Sequence, residues 1–159
     1  MCWMCDHPNA TRRDYLEHML DLVALYGWAI QGVSRDGLHP PWAYTVGLTA
    51  AGRPELVVTG ISVTRATELL NDVASHAIHD DAPMKAGDRV PLIGGPAIEF
   101  VELTAAKTRL VTAIDIYGRG IRALQVVHSD DRGRWPWQKG YRGQQTLLGP
   151  RASLGSATA

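Results

Sequence analysis

The sequence predicts a single α+β domain, a mixed and mostly antiparallel sheet of five or six strands covered by two or three helices. Three observations lead there. Residues 42–49 and 55–60 are two runs rich in aromatic and β-branched side chains, parted by a Gly52-Arg53-Pro54 turn, which is the pattern of a β-hairpin. Segments with apolar residues at helical spacing lie on either side of it, and a hairpin needs such cover because two strands alone are not stable in water. The 159 residues are one domain's length, enough to bury roughly 70% of the surface that the unfolded chain exposes.

Residues 1–10 form an N-terminal Cys-x-x-Cys segment, residues 11–151 the domain and residues 152–159 a tail, with disorder expected from Ser153. Thr11 followed by Asp14 reads as a capping box that opens a helix over residues 12–26. Its apolar stripe would be Leu16, Met19, Leu20, Val23 and Tyr26, and Gly27 would end it. His18 and Asp21 fall off that stripe and should meet solvent. Residues 28–33 read as a short strand, and the glycine and prolines of residues 34–41 as a loop. After the hairpin, Ser62 or Thr64 caps a second helix that buries Ala66, Leu69, Leu70, Val73 and Ala77 and stops near Pro83. A short strand is expected at residues 89–93, and residues 97–103 alternate as a half-buried strand does, with Glu99 turned away from Ile98 and Phe100. A third helix is expected over residues 107–117, although Val111, Thr112, Ile114 and Ile116 would also suit a strand. Residues 121–128 form the last strand.

Lysine and arginine number 16 and aspartate and glutamate 16, so no overall field draws the chain to nucleic acid or anionic lipid. No apolar run approaches the roughly 20 residues of a membrane helix. The first residues lack the charged start and apolar middle of a secretion signal. The expectation is a cytoplasmic protein with no membrane partner and no general nucleic-acid binding; a protein partner and the oligomeric state stay open.

The most pointed chemistry is at the start, in Cys2-Trp3-Met4-Cys5-Asp6-His7. Two thiolates three residues apart can grip one tetrahedral ion such as zinc or another divalent transition metal, and a neutral His7 imidazole can add a third ligand. The remaining ligand would be His128, or one of Asp130, Asp131, His39, His76 and His79. The same cysteines could instead work as a redox pair, with His7 favouring a thiolate, although the motif precedes every strand rather than opening a helix within a βαβ unit. Removal of Met1 would also expose Cys2 as an N-terminal nucleophile. The bland alternative is a loose end whose thiols do nothing.

Two further stretches carry candidate ligand-binding residues. In residues 128–137, His128, Asp130 and Asp131 could do acid–base work or hold a cation, and Arg134 beside Trp135 could clamp a phosphate or stack a base. The simpler expectation is a polar turn with both tryptophans, Trp135 and Trp137, on the core and the arginines paired with the aspartates. The loop before the hairpin sets His39, Trp42 and Tyr44 next to rigid prolines, where ligands commonly bind, although aromatic residues at a strand start are more often core. Gly94-Gly95-Pro96 lacks both a lysine and a following helix and is no phosphate loop, and the sequon Asn9-Ala10-Thr11 carries no expectation.

The strings Gly27-Trp28-Ala29-Ile30-Gln31-Gly32-Val33, Tyr44-Thr45-Val46-Gly47-Leu48-Thr49, Pro54-Glu55-Leu56-Val57-Val58-Thr59-Gly60 and Asp130-Asp131-Arg132-Gly133-Arg134-Trp135-Pro136-Trp137 together resemble the bacterial family called domain of unknown function 4262. The resemblance spans nearly the whole chain and implies a small bacterial, actinobacterial α+β domain of the cytosol. It implies no activity, cofactor or site residue. Three functions therefore stand from the residues themselves: a metal-binding accessory or regulatory protein through Cys2, Cys5 and His7; a cleft enzyme or thiol oxidoreductase using those cysteines or the His128, Asp130, Asp131 and Arg134 group; and a structural interaction module.

Overall fold

The computed structural model describes residues 3–34, 37–79, 84–104 and 109–152. It is one α+β domain built on a six-stranded mixed sheet in the order β1-β2-β3-β6-β5-β4. The strands are β1 (Ala29–Val33), β2 (Trp42–Val46), β3 (Glu55–Thr59), β4 (Arg89–Pro91), β5 (Ala97–Glu102) and β6 (Ala123–His128). The helices are α1 (Trp3–Asp6), α2 (Arg12–Tyr26), α3 (Val63–His79) and α4 (Val111–Tyr117). All neighbouring strands pair antiparallel except β3 and β6, which are parallel.

The expected hairpin is present, with Tyr44 opposite Val57 and a 3₁₀ turn over Leu48–Ala51 between the strands. That turn covers a buried carboxylate. Glu55 Oε1 accepts from Thr45 Oγ1 at 3.0 Å and Leu48 N–H at 3.0 Å, and Oε2 accepts from Thr49 N–H at 3.0 Å and Thr49 Oγ1 at 2.6 Å. The Thr-Val-Gly-Leu-Thr string is thus a cradle of donors for Glu55. Gly47 can shape it because its φ of 123° lies in the region that favours glycine.

Each face of the sheet has its own cover. Ala43, Leu56, Val58, Phe100, Leu124 and Val126 meet α3, whose buried residues are Ala66, Leu69, Leu70, Val73, Ala74 and Ala77. Ser62 rather than Thr64 caps α3, accepting from Arg65 N–H at 3.3 Å. On the other face Tyr44, Val46, Val57 and Ala123 meet α2 and α4.

Helix α2 has the capping box of Thr11 and Asp14 and ends at Gly27 in the left-handed conformation. Its buried stripe differs from the expectation. Tyr15 and Met19 are buried, with Leu22 and Val23 beside them, whereas Leu20 and Tyr26 are exposed. His18 is half-buried against Trp3 rather than in solvent, their rings stacked at 4.8 Å. The helix is turned because Tyr15 carries both an apolar ring and a hydroxyl that finds a partner on the sheet.

The C-terminal segment, read from sequence as a polar tail, forms the rest of this cover. Gln125 Nε2 donates to Thr146 O at 2.7 Å and Gln125 Oε1 accepts from Leu148 N–H at 2.8 Å, while Leu148 is buried. Trp135 and Trp137 stack at 5.2 Å over Val101 and Val127. Strand β5 is therefore covered on both sides, and Glu99 is not on a wet face as alternation implied. Its side chain is 3% exposed and ion-paired with Arg89 at 2.9 Å and Arg151 at 2.8 Å. Burial acts to raise the Glu99 carboxyl, but the bonds from Arg151 and Arg89 together hold it below the ordinary range. The doubtful segment at residues 107–117 is helical over Val111–Tyr117; Lys107 and the residues from Ser153 onward lie outside the described residues. Among the described residues no helix is long and apolar enough to cross a membrane.

Candidate functional site: a donor-lined cleft at the sheet edge

Strand β1 is the outer strand on its side, and a cleft of about 970 Å³ wraps its free edge. One wall is α2 with Trp42, Tyr44 and Arg109; the other is the start of α3. Alternation along β1 turns Gln31 and Val33 towards α2, and Ile30 and Gly32 towards α3, where a side chain on Gly32 would strike Val63.

Four elements send polar side chains into the α2 side. Gln31 Oε1 accepts from the Tyr15 hydroxyl and from Thr112 Oγ1 at 3.3 Å, and Gln31 Nε2 donates to Gly32 O at 2.9 Å. Thr112 Oγ1 accepts in turn from Arg12 Nη2 at 3.1 Å, whose charge is met by Asp115 at 2.8 Å. The Tyr44 hydroxyl, in a residue 1% exposed, accepts from Thr112 N–H at 3.0 Å. Burial pushes the Tyr44 hydroxyl above its ordinary range, against the pull of Thr112 and of Arg12. It stays a neutral donor at physiological pH.

Trp42 supplies the feature that the fold itself does not explain. Its Nε1–H is buried and has no hydrogen-bond partner among the described residues. Buried polar groups are nearly always paired, because an unmet donor costs about 1–3 kcal/mol. The Arg109 guanidinium lies 5.1 Å from the centre of the same ring, and its Nη2 donates to His39 Nε2 at 3.2 Å. His39 itself sits 6.5 Å from Trp42, ring centre to ring centre.

Of the residues expected to bind ligand, His39, Trp42 and Tyr44 thus gather at one cleft. Asp130, Asp131, Arg134 and Trp135 do not converge with His128. The Asp130 carboxylate accepts from the backbone N–H groups of Arg132, Arg134 and Arg142 at 2.8–2.9 Å, so it builds a turn. Burial acts to raise the Asp130 carboxyl, and those backbone bonds together hold it below the ordinary range. Asp131 is exposed, Arg134 Nη1 donates to Gly140 O at 3.1 Å, and Trp135 packs under Arg89. The arginines do not pair with the aspartates as the turn reading had them.

Among the expected metal ligands that are described, His128 stands apart from Cys5 and His7. Cys2 lies outside the described residues, and Cys5 is exposed on α1. His7 Nδ1 is 2.8 Å from Trp3 O, its ring stacked on Trp3 at 4.2 Å. Register with Ile98 places His128 on the α3 face, opposite the face on which Trp3 packs, so it does not approach His7. Among the described residues no three His, Cys, Asp or Glu side chains are grouped to hold a metal ion.

Tyr15, Gln31, Arg109 and Thr112 were missed by sequence reasoning. Gln31 is a polar residue inside an apolar strand, which is a usable signal, but nothing in the pattern links residues 31, 109 and 112. The fold and cleft define a class: a single α+β domain with a ligand-sized, donor-lined site at a sheet edge. A family model described as a domain of unknown function (DUF4262) matches residues 22–142, and the chain belongs to that family. No curated protein and no solved structure matches it. Gln31, Trp42, Tyr44, Arg109 and Thr112 lie within the matched residues; Tyr15 and the N-terminal cysteine pair precede them.

Proposed function

We propose that this chain is a small-molecule-binding domain whose ligand sits against Trp42 in the cleft beside β1. The observation that carries the reading is the buried Trp42 Nε1–H, unpartnered among the described residues, on a ring that the Arg109 guanidinium also covers. A concave site with aromatic walls and a few convergent polar groups is the usual form of a ligand pocket. Binding to the folded state alone raises its stability with ligand concentration. Thermal unfolding of the intact chain against a panel of small aromatic and aliphatic compounds should therefore show a concentration-dependent rise in Tm for at least one class. Trp42→Phe should abolish that rise while leaving the unliganded Tm within a few degrees. A panel with no responsive class, or a response unchanged in Trp42→Phe, overturns the reading.

One observation keeps a second reading, a soft divalent metal at the N-terminus. A histidine that ligates a metal commonly gives its other ring nitrogen to a carbonyl, and His7 Nδ1 lies on Trp3 O, leaving Nε2 to face an ion. Cys2 and Cys5 would be the companions. Metal content of the native chain beside Cys2→Ser with Cys5→Ser decides it: near-stoichiometric metal lost in the variant supports ligation, and none in either rejects it.

A further inference from the structure

The cleft is unbalanced in its hydrogen-bonding groups, and the imbalance says what the ligand must bring. The acceptors of its α2 side are occupied. Gln31 Oε1 takes bonds from Tyr15 and Thr112, Gly32 O from Gln31, Thr112 Oγ1 from Arg12, and His39 Nε2 from Arg109. Its donors are not. Trp42 Nε1–H has no partner among the described residues. The two cleft arginines also differ. Arg12 is neutralised by Asp115 at 2.8 Å, whereas Arg109 meets no carboxylate among the described residues and spends one donor on the His39 ring. A guanidinium carries five N–H donors in a fixed fork suited to a carboxylate. The carboxylate that the cleft does hold, Glu68, is on α3, across the sheet edge from Trp42.

We infer that the cleft selects a planar aromatic carboxylate, its ring lying along Trp42 and its anionic group taken by Arg109. Arg109 is already held over the Trp42 ring, so the charge and the stacking surface are presented together and little side-chain ordering remains to oppose binding. The inference rests on the cleft being a ligand site and adds the ligand's charge and shape.

The test uses the intact chain and two probes of one shape, 2-naphthoate and its neutral amide 2-naphthamide. Binding is followed by the Trp42 indole N–H resonance, assigned by its loss in Trp42→Phe. Naphthoate should shift that resonance and bind about tenfold or more tightly than naphthamide, the difference one charge-assisted hydrogen-bond pair supplies. Arg109→Gln should erase the gap between the probes, and Arg109→Lys, which keeps the charge, should retain a preference for the carboxylate. Equal binding of the two probes by the native chain overturns the inference and leaves the cleft a ligand site. A gap that survives in Arg109→Gln also overturns it, by removing Arg109 from the role. If neither probe moves the Trp42 resonance, this inference is overturned, and the thermal-unfolding panel decides separately whether the cleft is a ligand site.

Discussion

His128 ends β6 as a residue 9% exposed, with Nδ1 at 3.0 Å from Ser129 O and Nε2 buried without a partner among the described residues. Burial holds this imidazole below its ordinary range; the Ser129 carbonyl pulls the other way and the charge of Arg65 adds to the lowering. The folded chain therefore binds fewer protons here than the unfolded chain once the pH falls below about 6.5. Stability from His128 is complete above that pH and is lost as pH falls towards the lowered folded value. Urea unfolding at pH 7.5 and 5.5 should show the native chain losing more stability on acidification than His128→Gln, by up to about 1.4 kcal/mol for each pH unit in the window. Equal losses would mean that another group sets the acid response. A lone histidine in a strand gives no hint of this in sequence, where it was a candidate ligand. Its role depends on which face of β6 is covered.

At the scale of elements, the unit of β2, the 3₁₀ turn and β3 is closed around Glu55. Burial pushes the Glu55 carboxyl above its ordinary range, against the pull of donors on Thr49, Thr45 and Leu48. Glu55→Ala strands those donors, each unmet one costing about 1–3 kcal/mol, so a loss of about 3–5 kcal/mol is expected in the urea midpoint. Glu55→Gln, which keeps one accepting oxygen, should lose less. A cost below about 1 kcal/mol for the alanine variant would show the cradle to be incidental. The hairpin itself was readable because its runs are apolar and β-branched, and α2 because Thr11 and Asp14 mark its start. The turn of α2 about its axis was not. Tyr15 and Leu20 compete for the buried face, and the Gln31 partner on β1 favours Tyr15.

For the whole molecule, the decisive unread feature is the cover after β6. Residues 143–149 contain Gly, Gln and Thr, a composition that reads as loop, yet side-chain bonds from Gln125 and Thr59 hold them to the sheet. Sequence patterns register apolar faces and do not register a strand-like segment held by glutamines. Gly60 is where this cover sits closest. A Cβ there would fall 2.5 Å from backbone atoms of Gln144 and Gln145, at a φ of 80°. Gly60→Ala should cost about 1–3 kcal/mol and open the segment, seen as faster proteolytic cleavage within residues 141–152 while the body of the domain stays intact. Cleavage at the native rate would show the segment to be held elsewhere.

The position of that cover in the chain has an effect on synthesis. A ribosome that has finished β6 has yet to make Thr146, Leu148 and Arg151, so Gln125 waits for both of its backbone partners and Glu99, already beside Arg89, for its second arginine. At about 5–20 residues per second the interval is on the order of seconds. During it a newly made amide has no partner on an otherwise paired sheet.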